Sequence, residues 1–131
     1  MTIKLSTSQR NAMAQAMEDN MGGTPVLKIF TGGAPTNDTD PNTGTELVSI
    51  NLPADAFNIS NGVLSLSAAV SGTGIADGSA GHFRLYNTDG TTVAQQGTVG
   101  QGSGDLSIDN VSIAIGQTVN LNGYSLTMPN A

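Results

Sequence analysis

The chain carries one imidazole, His82, and no cysteine, so nucleophilic catalysis would have to run through a Ser-His-Asp arrangement. Twelve Ser and eight Asp always supply the other two members, so residue types alone select nothing. The nucleophile elbow Gly-x-Ser-x-Gly does not occur; Gly102-Ser103-Gly104 is only a fragment of it. His82 lies between Gly81 and Phe83 in an alternating stretch, where a lone His reads as a face residue of a strand. Asp38, Asp40 and Asn42 stand at alternate positions with Glu46 behind them, a spacing that can gather oxygen ligands around Ca²⁺. The full calcium-loop pattern fails, because Thr43 stands where Gly is needed and Ser49 where Glu is needed. A solvated acidic loop is therefore expected over 37–46, with those four residues as the calcium candidates. Asp105 and Asp109 flank a short apolar segment and could be paired for glycoside chemistry, but both border turns. Gly100 to Gly104 lacks a following Lys-Ser or Lys-Thr and leads into a strand, so no helix N-terminus stands ready for a phosphate. The expectation is a protein with no catalytic residues and no cofactor.

Charge narrows the partners. Four basic residues against ten acidic ones give a net charge of −6, which leaves little to neutralise a nucleic-acid backbone. Two Tyr, three Phe and no Trp provide no aromatic platform for bases or sugars. No run approaches 18 apolar residues, so no membrane-crossing helix is expected. Met1-Thr2-Ile3-Lys4-Leu5 has neither the apolar stretch nor the cleavage site of a signal peptide, and synthesis in the cytoplasm is the expectation.

The elements that must position any site follow from periodicity. At 131 residues the chain is expected to be one domain, with an N-terminal arm and helix over 1–23 and a β-sandwich over 24–131. The predicted helix covers 8–21, capped by Thr7 or Ser8 and ended by Gly22-Gly23. Met13, Met17 and Met21 recur every four residues on one face, either to close an end of the sandwich or to meet another protein. Ile3 and Leu5 alternate with polar residues in an arm, Thr2 to Leu5, that could add to a neighbour's sheet edge.

From Thr24 onward the period is two. Strands are expected over 26–31, 46–52, 57–60, 63–68, 82–88, 92–99, 106–108, 111–115 and 117–128, with a small, flexible stretch over 71–81. Asn61-Gly62 and Asp89-Gly90 predict hairpin turns, and Asn122-Gly123 predicts a β-bulge, because the apolar parity switches there. All three pairs are expected to use positive φ. The spacing of the turns suits an antiparallel, jelly-roll-like β-sandwich. Its expected core is Leu27, Ile29, Val48, Ile50, Leu66, Phe83, Leu85, Val119, Leu121 and Leu126.

In this order of elements, the segments Leu27-Lys28-Ile29-Phe30-Thr31-Gly32-Gly33-Ala34-Pro35, Thr43-Gly44-Thr45-Glu46-Leu47-Val48 and Leu52-Pro53-Ala54-Asp55-Ala56-Phe57 stand out. Gly81 to Gly90, Gly97-Thr98-Val99-Gly100 and Leu126-Thr127-Met128-Pro129 extend the pattern. Together the chain resembles small virion structural proteins of tailed bacteriophages. The resemblance implies a non-enzymatic head decoration or cement subunit on the capsid surface, with the major capsid protein and copies of itself, as a homotrimer, for partners. Nucleic acid and membrane are not among them. The interface would use Ile3, Leu5, Met13, Met17 and Met21. A tail, neck or fibre-associated module is the alternative within this class, and a soluble sugar- or calcium-binding sandwich module the alternative outside it.

Overall fold

The computed structural model describes residues 3–53, 56–67 and 70–128. Thr2 of the arm, Ala54 and Asp55 of the resemblance, Ala68 of a predicted strand and Pro129 lie outside them. Among the described residues one helix, α1 (Thr7–Met21), precedes ten strands. These are β1 (Val26–Thr31), β2 (Glu46–Asn51), β3 (Phe57–Ser60), β4 (Val63–Leu66), β5 (Val70–Thr73), β6 (Gly78–Tyr86), β7 (Val93–Gly100), β8 (Leu106–Ile108), β9 (Ser112–Ile113) and β10 (Thr118–Thr127). The fold is mostly β, with 46% of the described residues in strands against 12% in the helix.

The strands form one curled sheet in the order β2-β1-β6-β7-β8-β10-β4-β3, with β5 added on β10 and β9 on β6. The curl carries β5 onto β2: Ile75 N donates to Leu47 O at 2.8 Å, and Gly72 lies so close to Ile50 and Val48 that a Cβ there would overlap them. The stretch 71–81, expected to be small and flexible, therefore holds most of β5 and the start of β6. Its small residues permit close packing between strands, and only the tertiary fold supplies the partners.

The sheet is mixed rather than antiparallel, because β7 and β8 run parallel, with Val99 beside Leu106 and Gly100 beside Ser107. Parallel neighbours normally need a crossover of a dozen residues or more, and here 101–105 suffices. Asp105 makes the return tight. Its carboxylate accepts from Thr98 N at 2.9 Å and Thr98 Oγ1 at 3.2 Å, while Asp105 N donates to Thr98 Oγ1 at 3.1 Å.

Inside the curl, Leu27 and Ile29 of β1 oppose Leu85 and Phe83 of β6 in register, and all four side chains are buried. Val48, Ile50, Val119 and Leu121 join them as expected, whereas Leu66 and Leu126 are only partly buried against this core. The register of β10 slips between Leu121 and Gly123, so the predicted bulge is present. It brings Tyr124, Leu126 and Met128 onto the same core as Val119 and Leu121. Neither residue of the bulge needs positive φ, contrary to expectation.

The helix starts one residue earlier than predicted. Ser6, rather than Thr7 or Ser8, is the cap, its Oγ accepting from Gln9 N at 3.1 Å. At the other end Thr88 closes the helix, donating to Met21 O through its backbone N at 2.8 Å and its hydroxyl at 3.2 Å. The helix is thus tied to the sheet at two turns. Asn11 Oδ1 accepts from Gly62 N at 2.7 Å, and Arg10 donates to Met128 O from Nε at 3.2 Å and Nη2 at 3.1 Å. Met21 is buried and Met13 and Met17 are partly buried against the core, so the methionine stripe packs inward, the first of the two roles expected of it. Ile3 remains 84% exposed and Leu5 half-buried.

The two predicted turns differ in kind. Asn61 (φ 51°) and Gly62 (φ 74°) join β3 to β4 with Ser60 opposite Val63, the two-residue turn expected. Between β6 and β7 the turn is six residues long, 87–92, and only Gly90 has positive φ. Asp89 organises it, accepting from Thr91 N and Thr92 N at 2.8 Å each and from Thr92 Oγ1 at 2.6 Å.

Gly62→Ala and Gly90→Ala should separate two costs. Both pay about 1 kcal/mol for a side chain at positive φ. At Gly62 a Cβ would also lie 2.7 Å from the Arg10 guanidinium, whereas around Gly90 the space is open. Urea denaturation should therefore show the larger loss for Gly62→Ala. Equal losses would mean that Arg10 yields freely.

Candidate functional site

Along β6 the side chains alternate, so Phe83 and Leu85 enter the core while His82, Arg84 and Tyr86 point to the other face. Register places Lys28 of β1 on one side of Arg84 and Gln96 of β7 on the other. This outer face is not open to water. Segment 32–45, which includes most of the expected solvated acidic loop 37–46, folds back over it.

Arg84 holds that loop. Only 2% exposed, its guanidinium donates from Nε to Gln96 Oε1 at 3.1 Å, from Nη1 to Asp40 O at 2.9 Å and Asn42 Oδ1 at 3.0 Å, and from Nη2 to Asn37 O at 3.1 Å. The planar fork suits this set, since its donors diverge toward several oxygens at once. These four partners are neutral oxygens, three of them in the loop. Gln96 Nε2 donates to Pro35 O at 2.6 Å, and Tyr86 OH donates to Asn42 Oδ1 at 2.6 Å. Lys28 Nζ pairs with Glu46 Oε1 at 3.3 Å and stands 5.3 Å from the centroid of the Tyr86 ring. At the loop's root Thr31 and Thr45 bond one another, Thr31 N to Thr45 O at 3.0 Å and Thr45 N to Thr31 Oγ1 at 2.9 Å.

An open cleft of about 470 Å³ runs beside the latch, bordered by Lys28, Asp38, Asp40, Asn42, Tyr86 and the 90–93 end of the β6–β7 turn. Its walls mix both charges.

The four calcium candidates are put to other uses. Asn42 Oδ1 accepts from Arg84 and Tyr86, Asp40 Oδ2 accepts from Asn37 N at 2.9 Å, Glu46 faces Lys28, and Asp38 is exposed. Among the described residues no group of three or more His, Asp or Glu is arranged to hold a metal ion.

His82 is fully buried, its ring stacked on Phe30 with centroids 5.1 Å apart and planes 11° apart. Its Nδ1 donates to Gly32 O at 2.8 Å, since a carbonyl can only accept, and neither ring nitrogen meets a Ser hydroxyl or a carboxylate. His82 is thus a strand-face residue as expected, but buried rather than partly exposed, between Phe30 and Gly32. Asp105 and Asp109 do not form a carboxylate pair for catalysis either, for each closes a strand junction. Asp109 accepts from Asn120 Nδ2 at 2.9 Å and N at 3.2 Å, and the Asn120 side chain holds its pKa below the ordinary value.

Sequence reading missed Arg84, Gln96, Tyr86 and Lys28. The available signal was an arginine flanked by Phe83 and Leu85 in an apolar strand, since Arg in such a place must find buried acceptors. No protein family, no curated protein and no solved structure matches the chain.

Replacing Arg84 by Lys keeps the charge but cannot span the four oxygens, and should cost about 2 to 4 kcal/mol in urea denaturation. Limited proteolysis should then cut first within 33–44. An unchanged cleavage pattern would show that the loop is held without Arg84. Acid provides a second check. Thr92, through its hydroxyl and backbone, and then Thr91 lower the Asp89 pKa from 3.8 to about 2. A carboxylate depressed on folding stabilises the folded state above its unfolded pKa, and that contribution is lost as pH falls through the folded value. Stability should therefore drop between pH 3.8 and about 2, and Asp89→Asn should flatten this part of the profile. Chemical denaturation at stepped pH reads it.

Proposed function

We propose that the protein is a non-enzymatic structural component of a tailed-bacteriophage virion, a decoration or cement subunit on the outside of the head. One observation carries the reading beyond resemblance: three of the four cations are turned onto the chain's own acceptors. Arg10 binds Met128 O, Lys28 binds Glu46, and Arg84 binds loop 32–45. Most of the exterior charge is left negative, which suits a subunit that must assemble beside a DNA-filled shell without adhering to the genome. In the same way, residues that could do chemistry, Asp89, Asp105, Asp109 and His82, are spent on fastening turns and loops.

In this reading the curled sheet is a sandwich-like body of jelly-roll type that presents loops to its neighbours. The major capsid protein and copies of the chain itself, as a trimer, are the partners. The contacts available are apolar and few: Ile3 on the arm, and Ile75 with Ile115, which are 54% and 69% exposed. The last two are joined into one patch by Ile115 N donating to Asp77 Oδ1 at 2.9 Å and Gly116 N donating to Gly74 O at 2.9 Å.

Virions lacking the protein should form but release their genome at a lower temperature than intact ones, because the lattice is made by another protein and only its reinforcement is lost. Thermal release assays with immunogold labelling of intact particles test this. Equal heat resistance, with label on the tail or neck, would overturn the cement reading in favour of a tail or neck module.

A further inference from the structure

Strands β2 and β3 end the sheet order, and their open edges differ. At β3 the pairing fixes which backbone groups are in use. Ala56 O accepts from Ser67 N at 2.7 Å, and Ser60 stands opposite Val63 across the two-residue turn. Ladder bonds alternate in direction along a strand, so Ala56, Asn58 and Ser60 turn their N–H and C=O toward β4, while Phe57 and Ile59 turn theirs away. Among the described residues nothing bonds to those four outward groups. The segment Phe57–Ser60 also lacks the charge, proline or bulge that blunts an edge strand.

The N-terminal arm is the complement of this edge. Ile3 is 84% exposed, and Ile3, Lys4 and Leu5 belong to no helix or strand. When such a segment is extended, Ile3 and Leu5 share one side and Lys4 takes the other. Laid antiparallel on β3 with Ile3 opposite Ile59 and Leu5 opposite Phe57, the arm bonds to all four outward groups. The same register sets Ile3 and Leu5 on the core-facing side, where Phe57 is buried and Ile59 partly so, and sets Lys4 on the solvent side with the exposed Asn58. Hydrogen bonding and hydrophobic parity therefore agree at β3. They conflict at β2, where Ile75 N already occupies Leu47 O and the remaining outward backbone groups belong to the exposed Ser49 and Asn51, so that a bonded Ile3 and Leu5 would face water.

The arm cannot reach its own β3 in this direction. Arg10 N donates to Ser6 O at 3.0 Å and the Arg10 side chain lies against Gly62, so the arm leaves the molecule at the turn end of β3. Phe57, which Leu5 must face, stands beside Gly22 and Gly23, at the other end of a 15-residue helix about 22 Å long. Charge points to the same occupant: copies at −6 repel one another, and Lys4 is the one of the four cations without a partner among the described residues.

We propose that the open edge of β3 receives the arm Ile3-Lys4-Leu5 of a second copy as an added antiparallel strand. The contact joins two different surfaces, so it repeats around a small ring of copies. It gives self-association a location without resting on the virion reading, and purified protein tests it apart from any phage.

Lys4→Cys and Asn58→Cys, two full-length variants of a chain that has no cysteine of its own, are mixed and oxidised. Both positions are exposed, and residues opposed in a non-hydrogen-bonded antiparallel pair lie about 4.5 Å apart at Cα, within disulfide reach. Intact-mass spectrometry should show the mixed dimer forming at least about tenfold faster than with Ser60→Cys in place of Asn58→Cys, because Ser60 lies two positions out of register. Sedimentation velocity should show wild-type association that rises with concentration and is lost when residues 2–5 are removed, a deletion that keeps the Ser6 cap. Ile3→Asp serves if the deleted chain does not fold. Equal rates for the Asn58 and Ser60 variants, a wild type still monomeric at about 1 mM, or a Lys4→Cys/Asn58→Cys double variant that closes only within one chain would each overturn the proposal. So would association that persists without the arm, which would assign the contact to the patch at Ile75 and Ile115.

Discussion

A guanidinium buried on a sheet face must be surrounded by acceptors or it destabilises the fold, and this constraint organises one side of the molecule. Arg84 cannot lose its charge, and it stands on a central strand between Lys28 and Gln96, away from water. Gln96 supplies one oxygen and loop 32–45 supplies three. The loop therefore has to lie over the sheet, and what it covers follows: His82 becomes buried on Phe30, Tyr86 reaches Asn42, and Gln96 closes on Pro35. A polar sequence with turn chemistry becomes an ordered lid because one cation requires its carbonyls.

The opposite face obeys a different rule. Leu27, Ile29, Phe83 and Leu85 meet Val48, Val119 and Leu121 through a sheet that curls until β5 rests on β2. Hydrophobic burial drives that closure without direction, and directional bonds at the junctions set its geometry. Asp89, Asp105 and Asp109 each accept backbone N–H groups at a place where a strand ends or turns. A chain poor in aromatics and lacking disulfides uses such carboxylates to hold its strand ends, and at Asp89 and Asp109, where these bonds lower the pKa, this ties stability to pH.

Helix α1 joins the two systems. Its N-terminal half is fastened to the Gly62 turn and to Met128, and its last carbonyl to Thr88. Held at both ends, the helix packs its methionine face against the core.

Local chemistry sufficed for the helix, the Asn61-Gly62 turn, the bulge at Asn122-Gly123 and the parity of the core strands, because each is dictated by neighbours within a few residues. A switch of period at Gly22-Gly23, two successive residues that tolerate positive φ, and apolar side chains changing sides are all written in the linear order. The destination of loop 32–45 is not, since Asn37 O, Asp40 O and Asn42 Oδ1 are recruited by Arg84 more than forty residues away. Nor is the parallel pairing of β7 and β8, where Asp105 folds the short Gly-rich connection back onto Thr98. The same holds for the calcium candidates, whose alternate spacing does not say that Asn42 Oδ1 accepts from Arg84 and that Glu46 pairs with Lys28. Tertiary structure decided wherever a polar group had to be satisfied at long range, because hydrogen-bonding capacity is a property of each residue and the partner is a property of the fold.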